Sequence, residues 1–188
     1  MSPALPEDAL EAMENAVDRA LGAADPGDLT VLGYGEISLV IAWDHGGRRR
    51  ACKRLPPFPT DDAFETYRES VASYLDALRA RGADPVATAV QRVRRPDGLM
   101  TGYCVQEILP DGALLPDRMR TCTEDQALAL YVRVLDTLQG CITDRLGMDS
   151  QLSNWAEVDG ELLYLDTSTP MMRDDRGDEL LDTDIFLA

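Results

Sequence analysis

Lysine is nearly absent from this chain. Lys53 is the only one, and every other basic side chain among the 18 Lys+Arg residues is arginine. Histidine is as scarce, with His45 alone. The four cysteines, Cys52, Cys104, Cys122 and Cys141, are widely spaced and form no C-x-x-C pair. One histidine and scattered cysteines do not make a zinc site, and reduced thiols are the default in a cytoplasmic protein. No basic segment followed by an apolar run opens the chain, so no signal peptide is visible. No window is long and apolar enough to span a bilayer. Together these absences lead to an expected cytoplasmic location. Positive charge is also short, with a formal net charge of −16. That argues against a nucleic-acid or anionic-membrane partner, because phosphate backbones need a basic face. Arg48-Arg49-Arg50 is a local exception and reads as a solvated hairpin turn.

What is present suffices for a packed core. Of the 188 residues, 45% are hydrophobic, which excludes a disordered chain and fits one domain or two small lobes. Residues 7–22 read as an amphipathic helix with Leu10, Met13, Val17 and Leu21 on one face. Strands are expected at 29–34 and 37–43 across Gly33 and Gly35, and at 49–55 after the turn Asp44-His45-Gly46-Gly47. Pro56-Pro57-Phe58-Pro59 should stop that strand. Thr60 caps a helix whose apolar stripe is Phe64, Tyr67, Val71, Tyr74 and Leu78, ending near Gly82. Residues 86–94 and 100–108 read as a strand pair, and Leu109-Pro110-Asp111-Gly112 as a connector. A long helix follows, opened by a Thr123/Gln126 capping box, with Leu128, Tyr131, Leu135, Leu138 and Ile142 as its buried face. Residues 147–154 form a loop, Leu162–Leu165 a short strand, and 171–188 an acidic, weakly patterned stretch. Strands followed by a helix-led segment point to an α+β fold. The expected parts are an N-terminal lobe at 1–108 and a partial C-terminal lobe at 109–188.

Four polar elements punctuate this order. Gly33-Tyr34-Gly35-Glu36-Ile37-Ser38 is a glycine-rich hairpin, and Lys53 lies on the following strand as a compact point charge suited to a phosphate. Glu69, or alternatively Glu65, lies on the following helix, where a carboxylate can pair with Lys53. Asp149 and Asn154 stand five residues apart in the loop after the long helix. There an aspartate can take a proton from a hydroxyl, and an amide oxygen can bind a metal. Asp166 follows the apolar strand at a position suited to holding Mg²⁺ on phosphates. Each has an ordinary reading alone: an exposed strand lysine, solvated glutamates, a chance D-x-x-x-x-N in a chain with 34 acidic residues, and a turn aspartate.

In order and spacing together, these elements resemble the protein-kinase-like superfamily, whose signatures are G-x-G-x-x-G-x-V, a strand lysine, a helix glutamate, D-x-x-x-x-N and D-F-G. Ser38 stands in place of the third glycine. Gly147-Met148-Asp149 replaces H-R-D, so its His and Arg are missing, and Asp166-Thr167-Ser168 replaces D-F-G. Val105-Gln106-Glu107-Ile108-Leu109-Pro110 looks like the linker of small-molecule kinases of the aminoglycoside and choline phosphotransferase type. The resemblance covers roughly residues 29–170. It implies a two-lobed kinase-like fold with an N-terminal antiparallel sheet and one helix, followed by an incomplete helical C-terminal lobe. It implies ATP and Mg²⁺ as cofactors and a small-molecule hydroxyl as acceptor. Adenine would bond backbone groups near Glu107 and Leu109. Gly33, Tyr34, Gly35 and Ser38 would cover the phosphates, and Lys53 would contact them, paired with Glu69. Asn154 and Asp166 would hold the metal, and Asp149 would orient or deprotonate the acceptor. A helical lobe this short would leave an apolar face to a second copy or a partner chain. The alternatives are a catalytically silent kinase-like module that binds a nucleotide or protein, and an acidic α+β interaction protein with coincidental motifs.

Overall fold

Asp44-His45-Gly46-Gly47 separates two strand-forming runs, which is the pattern of a hairpin. In the computed structural model, which describes residues 2–25, 27, 29–34, 38–95 and 98–181, the two glycines have φ of 58° and 73°. Two positive values in succession are what a two-residue type I′ turn requires. The chain is α+β, and its described residues fall into two units, 2–68 with 87–108 and 69–86 with 109–181. No helix among the described residues is long and apolar enough to cross a membrane.

The first unit holds α1 (Glu7–Ala23), β1 (Thr30–Tyr34), β2 (Leu39–His45), β3 (Arg48–Phe58), β4 (Thr88–Arg94), β5 (Met100–Glu107) and the start of α2 (Asp61–Ala80). Its strands form one antiparallel sheet in the order β1-β2-β3-β5-β4. Leu10, Met13 and Val17 of α1 pack with Ile41, Cys52, Tyr103 and Val105. Leu21, expected on the same face, is 58% exposed, so the packed face of α1 ends at Val17. The two prolines do not stop β3, which continues to Phe58. The pairing with β5 shifts register between Arg54 and Pro57, and at such an irregularity a strand tolerates residues without an N–H. Nor is the arginine run solvated throughout. Strand alternation turns Arg50 inward, where its Nε donates to Pro3 O at 2.9 Å and its Nη1 to Glu107 Oε2 at 2.9 Å. Gly102 is a packing requirement, since a Cβ there would lie 2.7 Å from the Phe58 ring.

The second unit holds the rest of α2, α3 (Leu115–Thr121), α4 (Glu124–Cys141), a 3₁₀ turn (Leu152–Asn154), and the hairpin β6 (Trp155–Val158) and β7 (Glu161–Tyr164). The capping box of α4 forms as expected: Gln126 N donates to Thr123 Oγ1 at 3.3 Å and Thr123 N to Gln126 Oε1 at 3.0 Å. The buried face of α4 is different from the expected one. Leu130, Val134, Leu138 and Cys141 face a core of Tyr74, Leu78, Leu115, Leu146, Trp155 and Tyr164. Leu128, Tyr131, Leu135 and Ile142 are exposed by 61%, 42%, 37% and 45%. Both stripes have helical spacing, so periodicity alone does not choose between them. The two faces should therefore respond differently to truncation. Leu138→Ala is expected to cost about 2–3 kcal/mol, and Leu135→Ala no more than about 0.5 kcal/mol. Urea midpoints read by fluorescence check this, and equal losses would contradict the assignment of faces.

Candidate functional site

In the first unit, the alternation of β3 sends Arg50, Cys52 and Arg54 to the α1 side of the sheet and Lys53 to the other. Lys53 is half-buried on a central strand, opposite Val40 of β2 and Cys104 of β5. Cys104 Sγ lies 3.5 Å from the Tyr67 hydroxyl of α2, so Tyr67 shares the Lys53 face. Burial pushes the neighbouring Cys52 thiol up to about 12, which makes it inert rather than nucleophilic.

The other expected residues of this unit are distributed as follows. Gly33 pairs with Val40 after a register shift, Tyr34 is 79% exposed and Ser38 is half-buried. Gly35 lies outside the described residues. A Cβ at Gly33 would meet no described atom within 4 Å, so packing does not require glycine there. Glu65 accepts from Arg68 Nε at 2.7 Å and lies 3.5 Å from Arg92, so its carboxylate already has cationic neighbours. Glu107 takes Arg48 at 2.5 Å and Arg50 at 2.9 Å.

In the second unit, chain order brings the polar residues to one end of the β6–β7 hairpin. Trp155 pairs with Tyr164, and the next rung is a bond from Leu165 N to Asn154 O at 2.8 Å. Asn154 and Asp166 therefore flank the same end of the hairpin, both half-buried. Asp166 Oδ1 accepts from Ser168 Oγ at 3.1 Å. The loop leading to Asn154 is tied at its start, where Gly147 N donates to Met171 O at 2.7 Å and Arg173 N to Arg145 O at 3.0 Å. Asp149 Oδ1 accepts from Gln151 N at 2.9 Å, an Asx turn that fixes one carboxylate oxygen. Asp149 N donates to the Tyr164 hydroxyl at 3.1 Å, and the Tyr74 hydroxyl donates to Gly147 O at 3.0 Å. Glu69 is exposed on α2, and Leu109 is half-buried.

Sequence reasoning did not single out Tyr74 or Tyr164. Both read as core aromatics at helix and strand spacing, and their rings are indeed buried. Only the polar tip of a buried tyrosine signals a second task, because it requires a partner.

Among the described residues no group of three or more His, Cys, Asp or Glu is placed to hold a metal. Mg²⁺ does not require one. It is usually bound through one or two carboxylates, with phosphates and waters completing the octahedron. An amide oxygen and a carboxylate at one hairpin end fit that donor set.

The chain belongs to the DUF6206 family, a family of unknown function, whose model matches residues 12–188. A comparison with curated proteins returned no match.

Proposed function

We propose that this chain is an ATP- and Mg²⁺-dependent phosphotransferase of kinase-like fold, acting on a small-molecule hydroxyl. The observation that carries this reading is the end of the β6–β7 hairpin. Asp149 enters a five-residue run to Asn154, the hairpin follows directly, and its return delivers Asp166 beside Asn154. That Asn154 and Asp166, 12 positions apart in the sequence, flank one hairpin end follows from the backbone bond between residues 165 and 154, and chance composition does not supply it. The first unit adds support: an antiparallel sheet, one helix between its third and fourth strands, and a single ammonium on a central strand. Gly33 is compatible with close approach of a ligand to the backbone, since packing among the described residues does not account for it.

The roles follow from chemistry. Lys53 binds phosphate oxygens as a point charge. Asn154 and Asp166 hold Mg²⁺, which supplies charge neutralisation at the phosphates when bound. Asp149 accepts or orients the proton of the acceptor hydroxyl, its carboxylate held in place by the Gln151 N–H. Positioning and charge stabilisation account for most of the rate in this class of reaction.

Gly147-Met148 in place of His-Arg favours a second reading, a silent module that binds the nucleotide without turnover. ADP release from Mg·ATP, measured with a panel of sugar, aminocyclitol and amino-alcohol acceptors, separates the two. Acceptor-dependent release lost in Asp149→Asn supports the phosphotransferase. Nucleotide binding with no release for any acceptor supports the silent module.

A further inference from the structure

Two buried tyrosines of the second unit bracket the loop that carries Asp149. Tyr74 is 0% and Tyr164 is 1% exposed, yet each phenol oxygen has a polar partner. Tyr164 Oη accepts the Asp149 N–H at 3.1 Å. The Tyr74 hydroxyl donates to Gly147 O at 3.0 Å. The two bonds form a tyrosine relay around the loop, one phenol holding the N–H of residue 149 and the other the carbonyl of residue 147. Met148, between the two bonded groups, is itself 5% exposed.

Each end of the relay is anchored independently. Tyr164 N donates to Asp84 O at 2.9 Å and its carbonyl accepts from Val86 N at 3.0 Å, while its ring lies 5.1 Å from that of Trp155. Tyr74 stands on α2 within the same core. Gly147 packs closely on Met171, since a Cβ there would lie 3.1 Å from Met171 Cβ.

We infer that Tyr164 and Tyr74 are positioning residues for the Asp149 carboxylate, fixing the loop backbone in a chain whose loop has Gly147-Met148 where the resembling family has His-Arg. The inference rests on the phosphotransferase reading for its functional part. Its structural part can be read without nucleotide.

Tyr164→Phe keeps the ring against Trp155 and deletes the acceptor of the Asp149 N–H. Amide hydrogen exchange, resolved by NMR, should show Asp149 exchanging about tenfold faster, as expected for loss of one hydrogen bond. The amides of Ala156 and Leu163 in the β6–β7 ladder should keep their protection. With Mg·ATP and an accepted substrate, kcat should fall about tenfold with KM for ATP unchanged, because an orienting bond is lost and not a binding one. Tyr74→Phe removes the other half of the relay, should loosen the same amide, and serves if Tyr164→Phe does not fold. An unchanged Asp149 amide in both variants overturns the relay, whatever the nucleotide does. A faster amide with unaltered kcat overturns the positioning role. Absence of turnover in the unmutated chain removes the phosphotransferase reading and the positioning role with it, and the exchange data then show whether the relay persists as a structural clip alone.

Discussion

Replacing Glu14 by alanine is expected to destabilise the first unit by about 3–5 kcal/mol, the range for removing one partner of a buried charged pair. Glu14 is 3% exposed on the inner face of α1. Its carboxylate accepts from Arg54 Nε at 3.1 Å and Nη2 at 2.6 Å, from Thr101 Oγ1 at 3.0 Å, and from the Tyr103 hydroxyl. Deleting it takes this acceptor from the Thr101 and Tyr103 hydroxyls and leaves the Arg54 guanidinium with the more distant Asp18, at 3.5 Å. Burial alone would raise the Glu14 pKa. Hydrogen bonds from Arg54 and Tyr103 and the charge of Arg54 outweigh it and hold the carboxyl below its ordinary range. The sign of the pH dependence follows. An unfolded glutamate titrates near about 4.3. With the folded value lower, the contribution is complete above the unfolded pKa and is lost as pH falls through the folded one. Urea denaturation followed by Trp43 fluorescence, with Trp155 replaced by Phe in both proteins, tests this. The gap between parent and variant should be widest near pH 7 and narrow below about pH 4. A gap under about 1 kcal/mol at neutral pH would show that the network contributes only as a surface pair does.

The second large effect concerns Lys53. A hydrogen bond to a charged group is worth about 1.5–3 kcal/mol, so Lys53→Met should weaken Mg·ATP binding by about 10- to 150-fold. Arginine should not restore it, because its planar fork does not substitute for a compact ammonium. Folding should be little altered, since Lys53 is half-buried and the methionine stem follows the same path between Val40 and Cys104. Circular dichroism of the variant serves as the control.

Much of the local structure was legible because its signals are local. Thr60 caps α2, its Oγ1 accepting from Ala63 N at 3.1 Å, and Phe64, Tyr67, Val71, Tyr74 and Leu78 are all buried as their spacing predicts. The misread features depend on distant partners. Arg50 is buried because Pro3 and Glu107 meet it, and Glu14 because three donors on β3 and β5 converge on it. On α4, two apolar stripes compete and the core selects one. Pro56-Pro57 stays within β3 because the ladder slips there. At the site, residue types and order were legible for Asp149, Asn154 and Asp166. The hydrogen bond that joins residues 154 and 165 depends on β6, a four-residue strand too short to stand out in the sequence. The tyrosine relay was invisible for the same reason as the Glu14 network: each of its bonds links residues far apart or hides a polar tip behind an apolar pattern.

Isothermal titration of Mg·ATP into the unmutated chain, Lys53→Met and Asp166→Asn tests the central claim most directly. The expected result is saturable binding to the parent, about 10- to 150-fold weaker in Lys53→Met, and insensitive to Mg²⁺ in Asp166→Asn. No binding to the folded parent at millimolar Mg·ATP, or equal binding by all three proteins, would contradict the account.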